Sequence, residues 1–148
     1  MRSLETWLSL YGQSHQNRTN QRIHEVCVPL ITWSLLGLLW AIPTPESFGA
    51  FNWSWLFVIL ASFFYLTLKS FKAISVALGL VLPFMFLNHF YLESFLGSYF
   101  LITWVLIFVV AWIGQFIGHK IEGKKPSFFE DLQFLLIGPI WVFLGDKS

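Results

Sequence analysis

The chain has 148 residues, of which 56% are hydrophobic, 20% aromatic and only 11% charged, against roughly 25% charged in an ordinary soluble domain. A soluble fold of this size cannot hide that much apolar surface, so the composition excludes the common soluble classes. A net charge of +1, with no clustered Lys and Arg, argues against a nucleic-acid partner, and the single Cys27, set between Val26 and Val28, excludes an internal disulfide and reads as helix packing.

Taken in chain order, residues 3 to 16 suit an interfacial helix with Leu4, Trp7, Leu8 and Tyr11 on one apolar side. The stretch Asn17-Arg18-Thr19-Asn20 is a poor helix interior and a good N-cap, so a break is expected there. The first long apolar run begins only near Glu25, behind polar residues, and a secretory signal is not expected. Crossing a bilayer takes about 20 mostly apolar residues. Four segments qualify: 26–42, 51–68, 73–91 and 99–118. Pro43 and Pro45 turn the chain between the first two, and Pro83 is expected to kink the third. A further apolar segment, 134–144, is too short to cross and carries Gly138-Pro139. It reads as a re-entrant or interfacial helix, announced by Pro126 and a Ser127-x-x-Glu130 capping box. The predicted fold is therefore all-α: one integral membrane domain over 1–148, with four transmembrane helices flanked by an N-terminal and a C-terminal helix that do not cross.

The loop charges sort by side. Arg2, Arg18 and Arg22 precede the first span, Lys69 and Lys72 follow the second, and Lys120, Lys124 and Lys125 follow the fourth, whereas the other two loops carry no Lys or Arg. The excess of basic residues places both termini in the cytoplasm, and a bacterial inner membrane is the expected location.

Against this apolar background the polar residues near span ends stand out, because ionisable groups beside hydrocarbon are functional candidates by default. His15 and His24 lie nine residues apart, about 900° on one straight helix, so they converge only if the chain breaks between them. Tyr11 stands four residues before His15, and Asn20 four before His24, where each can orient an imidazole. Trp112, Gln115, His119 and Glu122 form one stripe down the last turns of the fourth span, and Gly114-x3-Gly118 beside it allows a neighbouring helix to approach closely. The charge count brings His15, His24 and His119 to one face, with Glu122 placed as a further ligand or a base. Imidazole with carboxylate suits Fe, Zn, Cu or Ni. His89 falls near the opposite end of the third span, where an interfacial role with Asn88 and Tyr91 is expected, and Trp40, Trp53, Trp55 and Trp104 suit aromatic belts.

The stretches Tyr11-Gly-Gln-Ser-His15-Gln-Asn-Arg-Thr-Asn20-Gln-Arg-Ile-His24 and Trp112-Ile-Gly-Gln115-Phe-Ile-Gly118-His119-Lys-Ile-Glu122, with Gly138-Pro139-Ile140-Trp141, resemble the membrane family of the yeast 2-hydroxy fatty acid dioxygenase. The resemblance implies an Fe(II)-dependent reaction in which O2 shortens a 2-hydroxy fatty acid by one carbon, within the lipid bilayer. By position it implies His15, His24 and His119 as metal ligands, with Asn20, Gln115 and Glu122 beside them as catalytic candidates. Tyr11, Arg22 and Lys120 are the substrate-binding candidates, with Arg18 and Lys124 as further cations. The His119-x2-Glu122 spacing is one residue shorter than the His-x3-Glu of the fungal branch, which turns the carboxylate by about 100° around the helix. Two other classes fit the residues alone: a non-catalytic membrane protein that binds lipid or a partner, and, less well, a metal transporter, which would need ligands at the bilayer midplane.

Overall fold

The computed structural model describes residues 1–147, which are all-helical with no strand among them. Helix α1 (Leu4–Gly12) starts behind Ser3, whose hydroxyl accepts from the Thr6 N–H. The chain breaks at residues 13–17, and α2 (Arg18–Ala41) opens at Asn17, whose side chain accepts from the N–H groups of Thr19 and Asn20. The break thus falls just before the predicted cap-rich stretch, with Asn17 serving as the cap itself. Helix α3 (Trp53–Thr67) is capped by Asn52 and α4 (Phe71–Leu87) by Ser70 in the same way. Pro83 lies inside α4 without ending it, and the helix widens into a π-turn at Asn88–Leu92 before the short α5 (Glu93–Leu96). Gly97, at φ 52, reverses the chain in a conformation that favours glycine, and α6 (Phe100–Glu122) follows. Helix α7 (Phe134–Leu144) completes the bundle.

Among the described residues, two helical stretches are long and apolar enough to cross a membrane, Arg18–Ala41 and Phe71–Glu122, the second being the α4-to-α6 run that folds back at Gly97. Helix α3, at 15 residues, is shorter than the usual span of about 20. The expected capping box at Ser127 does not form. Residues Ser127–Phe129 make a single 3-10 turn, and α7 starts later, behind Gln133, with no side-chain cap. The physical reason is that the Ser127 hydroxyl is engaged elsewhere, 2.6 Å from the hydroxyl of Ser14. Helix α7 is short, as expected, and is packed into the bundle, with Ile137, Gly138, Pro139, Ile140 and Trp141 all buried.

The antiparallel pair α2 and α6 forms the spine. Its register is set by small residues that admit large neighbours: Asn20 lies against Gly118, Cys27 against Gly114 and the Trp104 ring against Gly37. A Cβ at Gly114 would stand 2.7 Å from Cys27 Sγ, and one at Gly118 or Gly37 would overlap the Asn20 amide or the indole. Two apolar clusters fill the ends of the bundle. One gathers Trp7, Tyr11, Tyr65, Ile137, Ile140 and Trp141 around α7. The other joins Leu36 and Trp40 of α2 to Met85, Phe100 and Trp104.

Because close packing leaves no room at these contacts, Gly118→Ala and Gly37→Ala should each lower stability by about 1–3 kcal/mol, the usual cost of overpacking. Gly79→Ala, whose new Cβ meets nothing within 4 Å, should instead be neutral or stabilising by up to about 1 kcal/mol. Thermal unfolding of the solubilised variants checks this, and equal effects at all three positions would contradict the packing account.

Candidate metal centre

Three helix ends deliver one imidazole each to a single buried point. His15 follows α1 in the break, His24 lies in the second turn of α2, and His119 lies in the last turn of α6. Ring centroids are 4.2 Å apart for His15 and His24, 4.8 Å for His15 and His119, and 4.9 Å for His24 and His119. The ring planes are nearly perpendicular to one another, at 81°, 78° and 88°. One ligand atom from each residue lies within 4.8 Å of the other two, a grouping that can hold a metal ion.

The protonation pattern follows from the partners. His15 Nδ1 is 2.6 Å from the Tyr11 carbonyl, and His24 Nδ1 is 2.9 Å from the Asn20 carbonyl. A carbonyl only accepts, so each Nδ1 carries the proton and each Nε2 keeps its lone pair. The i−4 residues singled out in the sequence do orient the rings, but through their backbone oxygens. Their side chains do other things. The Tyr11 ring stacks on His15 at 4.2 Å and 6°, and the Asn20 amide donates to the Ser14 carbonyl and to Glu122 Oε2. Burial, helped by the nearby His119, pushes the pKa of His15 down to about 3 against the raising effect of the Tyr11 carbonyl, so the ring stays neutral at ordinary pH.

The donor set fits a first-row transition metal. His24 Nε2 and His119 Nε2 face each other at 3.2 Å, while His15 Nε2 is buried with no hydrogen-bond partner. Unpaired buried nitrogens are costly, and a bound cation would satisfy neutral imidazole lone pairs of this kind.

Glu122, whose carboxylate is near enough to His24 and His119 to interact with their charge, is tied to the turn between α1 and α2. Its carboxylate accepts from the backbone N–H groups of Gln16 and Asn17, both at 2.8 Å, and from Asn20 Nδ2 at 3.1 Å. It therefore sits at the N-terminus of α2, where the unpaired N–H groups and the helix dipole favour an anion. Lys124 adds a second tie to the same turn, donating to the Gln13 carbonyl at 2.9 Å, and Gln21 donates to the His15 carbonyl at 2.7 Å.

A cavity of about 40 Å³ adjoins the histidines, lined also by Tyr11, Gln115, Ser127 and Gly138. Gln115 is buried, and its Oε1 has no hydrogen-bond partner. Arg22 and Lys120 are exposed and do not line this space, although Lys120 borders an open groove that shares His119 and Pro126 with it and is lined also by Lys124, Lys125 and Phe116. His89 lies apart, against Trp40 at 5.8 Å and in an apolar recess with Pro83 and Phe86.

Sequence reasoning missed Ser14, Ser127 and Trp141 at this site. Ser14 bridges His15 Nδ1 at 3.1 Å and the Ser127 hydroxyl, and Trp141 walls His15 at a ring distance of 4.9 Å. Gly138, read as a helix breaker, instead gives the Tyr11 hydroxyl its room, since a Cβ there would stand 3.1 Å from it. The signal for α7 was its Gly138-Pro139 pair, which marks a close approach as well as a break.

The family model described as 2-hydroxy-palmitic acid dioxygenase Mpo1-like matches residues 1–145. No curated protein and no solved structure matches the chain. A match that spans the three histidines, the α2–α6 spine and α7 together shows that this chain belongs to the Mpo1-like family.

Proposed function

We propose that the protein is a membrane-embedded, Fe(II)-dependent dioxygenase that shortens 2-hydroxy fatty acids by one carbon. The observation that carries the reading is the convergence of three buried, neutral imidazoles beside a small cavity, in a chain whose family is described by that reaction's substrate type. His15, His24 and His119 would hold the metal. Bound Fe(II) supplies the one-electron chemistry by which ground-state O2 reacts with a closed-shell acid. The overall change balances without a further reductant: a 2-hydroxy acid and O2 give the acid one carbon shorter, carbon dioxide and water.

The chain's own residues contribute position and dryness. The Tyr11 and Asn20 carbonyls fix two rings with their Nε2 lone pairs free. Gln115, unpaired and at the cavity wall, offers hydrogen bonds to a substrate hydroxyl or carboxylate. Tyr11, Trp141 and Phe134 exclude bulk water around His15. With both carboxylate oxygens engaged by the α1–α2 turn, Glu122 acts as a positioning residue that holds His15 and His24 in register with His119.

The membrane setting is part of the proposal. Four crossings by α2, α3, α4 and α6 are supported by the wide apolar exposure of these helices, as at Phe63 (63%), Leu106 (58%) and Val110 (66%), which exceeds what a soluble monomer presents. The basic residues gathered at the ends of α2, α3 and α6 support both termini lying on the cytoplasmic side.

Oxygen consumption with 2-hydroxypalmitate, and mass analysis for the acid one carbon shorter, test the activity. The expected result is substrate-dependent O2 uptake that is lost in His15→Ala, His24→Ala and His119→Ala; an iron-loaded protein that consumes no O2 with any 2-hydroxy acid would sink the reading. For Glu122, removing its three hydrogen bonds in Glu122→Ala should weaken metal binding by about 10–100-fold, the scale of lost supporting contacts at metal sites. Glu122→Gln, which keeps one acceptor, should lose less, and unchanged metal affinity in Glu122→Ala would remove the positioning role.

A further inference from the structure

The cavity beside the histidines is too small for the substrate it is proposed to serve. About 40 Å³ admits only a few water-sized groups, each needing about 10–15 Å³ of such space. A carboxylate and its neighbouring hydroxyl fit; a long alkyl chain does not. The chain must leave the cavity, and the burial of the lining residues shows where. Tyr11, His15, His24, His119 and Gly138 close one end. At the other end Ile31, Thr32, Trp112 and Phe128 are half-buried and Leu135 is 45% exposed.

That open end lies deeper in the bundle than the histidines. Ile31 is seven residues beyond His24 on α2, and Trp112 seven before His119 on the antiparallel α6, so both lie two turns, about 10 Å, away from the basic end. Trp112 and Phe128 pack edge to face at 5.2 Å and form one side of the opening. None of the lining residues is Asp, Glu, Lys or Arg. The neighbouring outer surface is apolar and exposed at Leu30, Val109 and Ile113.

We propose that this opening, between Ile31 and Thr32 of α2, Trp112 of α6 and Leu135 of α7, is a lateral mouth through which a single alkyl chain stays in the lipid while its 2-hydroxy carboxylate head sits at the histidines. The proposal rests on the dioxygenase reading for the head group and adds the route of the tail. It follows that chain length beyond the mouth contributes little to recognition, because that part of the substrate remains in hydrocarbon whether bound or free. The open groove lined by Phe116, Lys120 and Phe129 is the rival route, reached from the basic end of the bundle.

The test uses the full chain in lipid nanodiscs, with 2-hydroxypalmitate carrying a mid-chain diazirine, photolysis and peptide mass spectrometry. Labelling of residues around Ile31, Thr32, Trp112 or Leu135, competed by unlabelled 2-hydroxypalmitate, is the expected result. Competed labelling confined to Lys120, Lys124 or Lys125, at the basic edge of that groove, overturns the lateral mouth, as does labelling that no competitor reduces. Because this reads binding, it judges the mouth even where O2 uptake fails and the dioxygenase reading falls. In an active preparation, Leu135→Trp should raise the ratio of KM for 2-hydroxypalmitate to KM for 2-hydroxyhexanoate about tenfold, the size expected for losing roughly two methylene contacts. An unchanged ratio, with metal binding intact, also overturns the route.

Discussion

Everything at the site depends on how closely α2 and α6 approach. Glycines at 37, 114 and 118 let Trp104, Cys27 and Asn20 fill the seam, and only at that separation do the Nε2 atoms of His24 and His119 face each other at 3.2 Å. The third imidazole comes from a different kind of element, a turn, which has little stability of its own. Glu122, the last residue of α6, and Lys124 just beyond it tie that turn down through Gln16, Asn17 and Gln13. One helix end therefore supplies a histidine and also secures the segment that bears another.

This arrangement settles a chemical conflict. Metal ligands must be neutral and must present a lone pair, yet burying an imidazole with an unpaired nitrogen is unfavourable without a cation. The fold meets the first requirement with two backbone carbonyls, which force the proton onto Nδ1 of His15 and His24. A cation held by the three rings would meet the second. Burying His15 Nε2 without a protein partner costs stability, a cost that functional centres commonly carry.

Much of this was legible in the sequence, and the limits are physical. The convergence of His15, His24 and His119 followed from helix ends, the break between the first two and the sorting of Lys and Arg. The Gly114-x3-Gly118 pattern indicated the close approach of a neighbouring helix, which the structure shows to be α2, and the distance of His89 from the others followed from helical rise. What was not legible depends on tertiary detail. Spacing at i−4 identified Tyr11 and Asn20 as partners of the histidines, but it cannot tell whether a side chain or its carbonyl makes the bond. Likewise, Ser127-x-x-Glu130 satisfies a capping pattern, while the Ser127 hydroxyl is taken by Ser14, 113 positions away. Glu122 read as a ligand or base from its stripe; only the packed structure shows its oxygens engaged by the α1–α2 turn.

The claim on which the account stands is that three imidazoles from three segments form one metal site. Anaerobic titration of Fe(II) into the solubilised protein tests it most directly. One ion per chain is predicted, with binding weakened by at least about 10–100-fold in His15→Ala, His24→Ala and His119→Ala alike and retained in His89→Ala. Full-affinity binding in any of the three histidine variants, or a loss in His89→Ala equal to theirs, would contradict it.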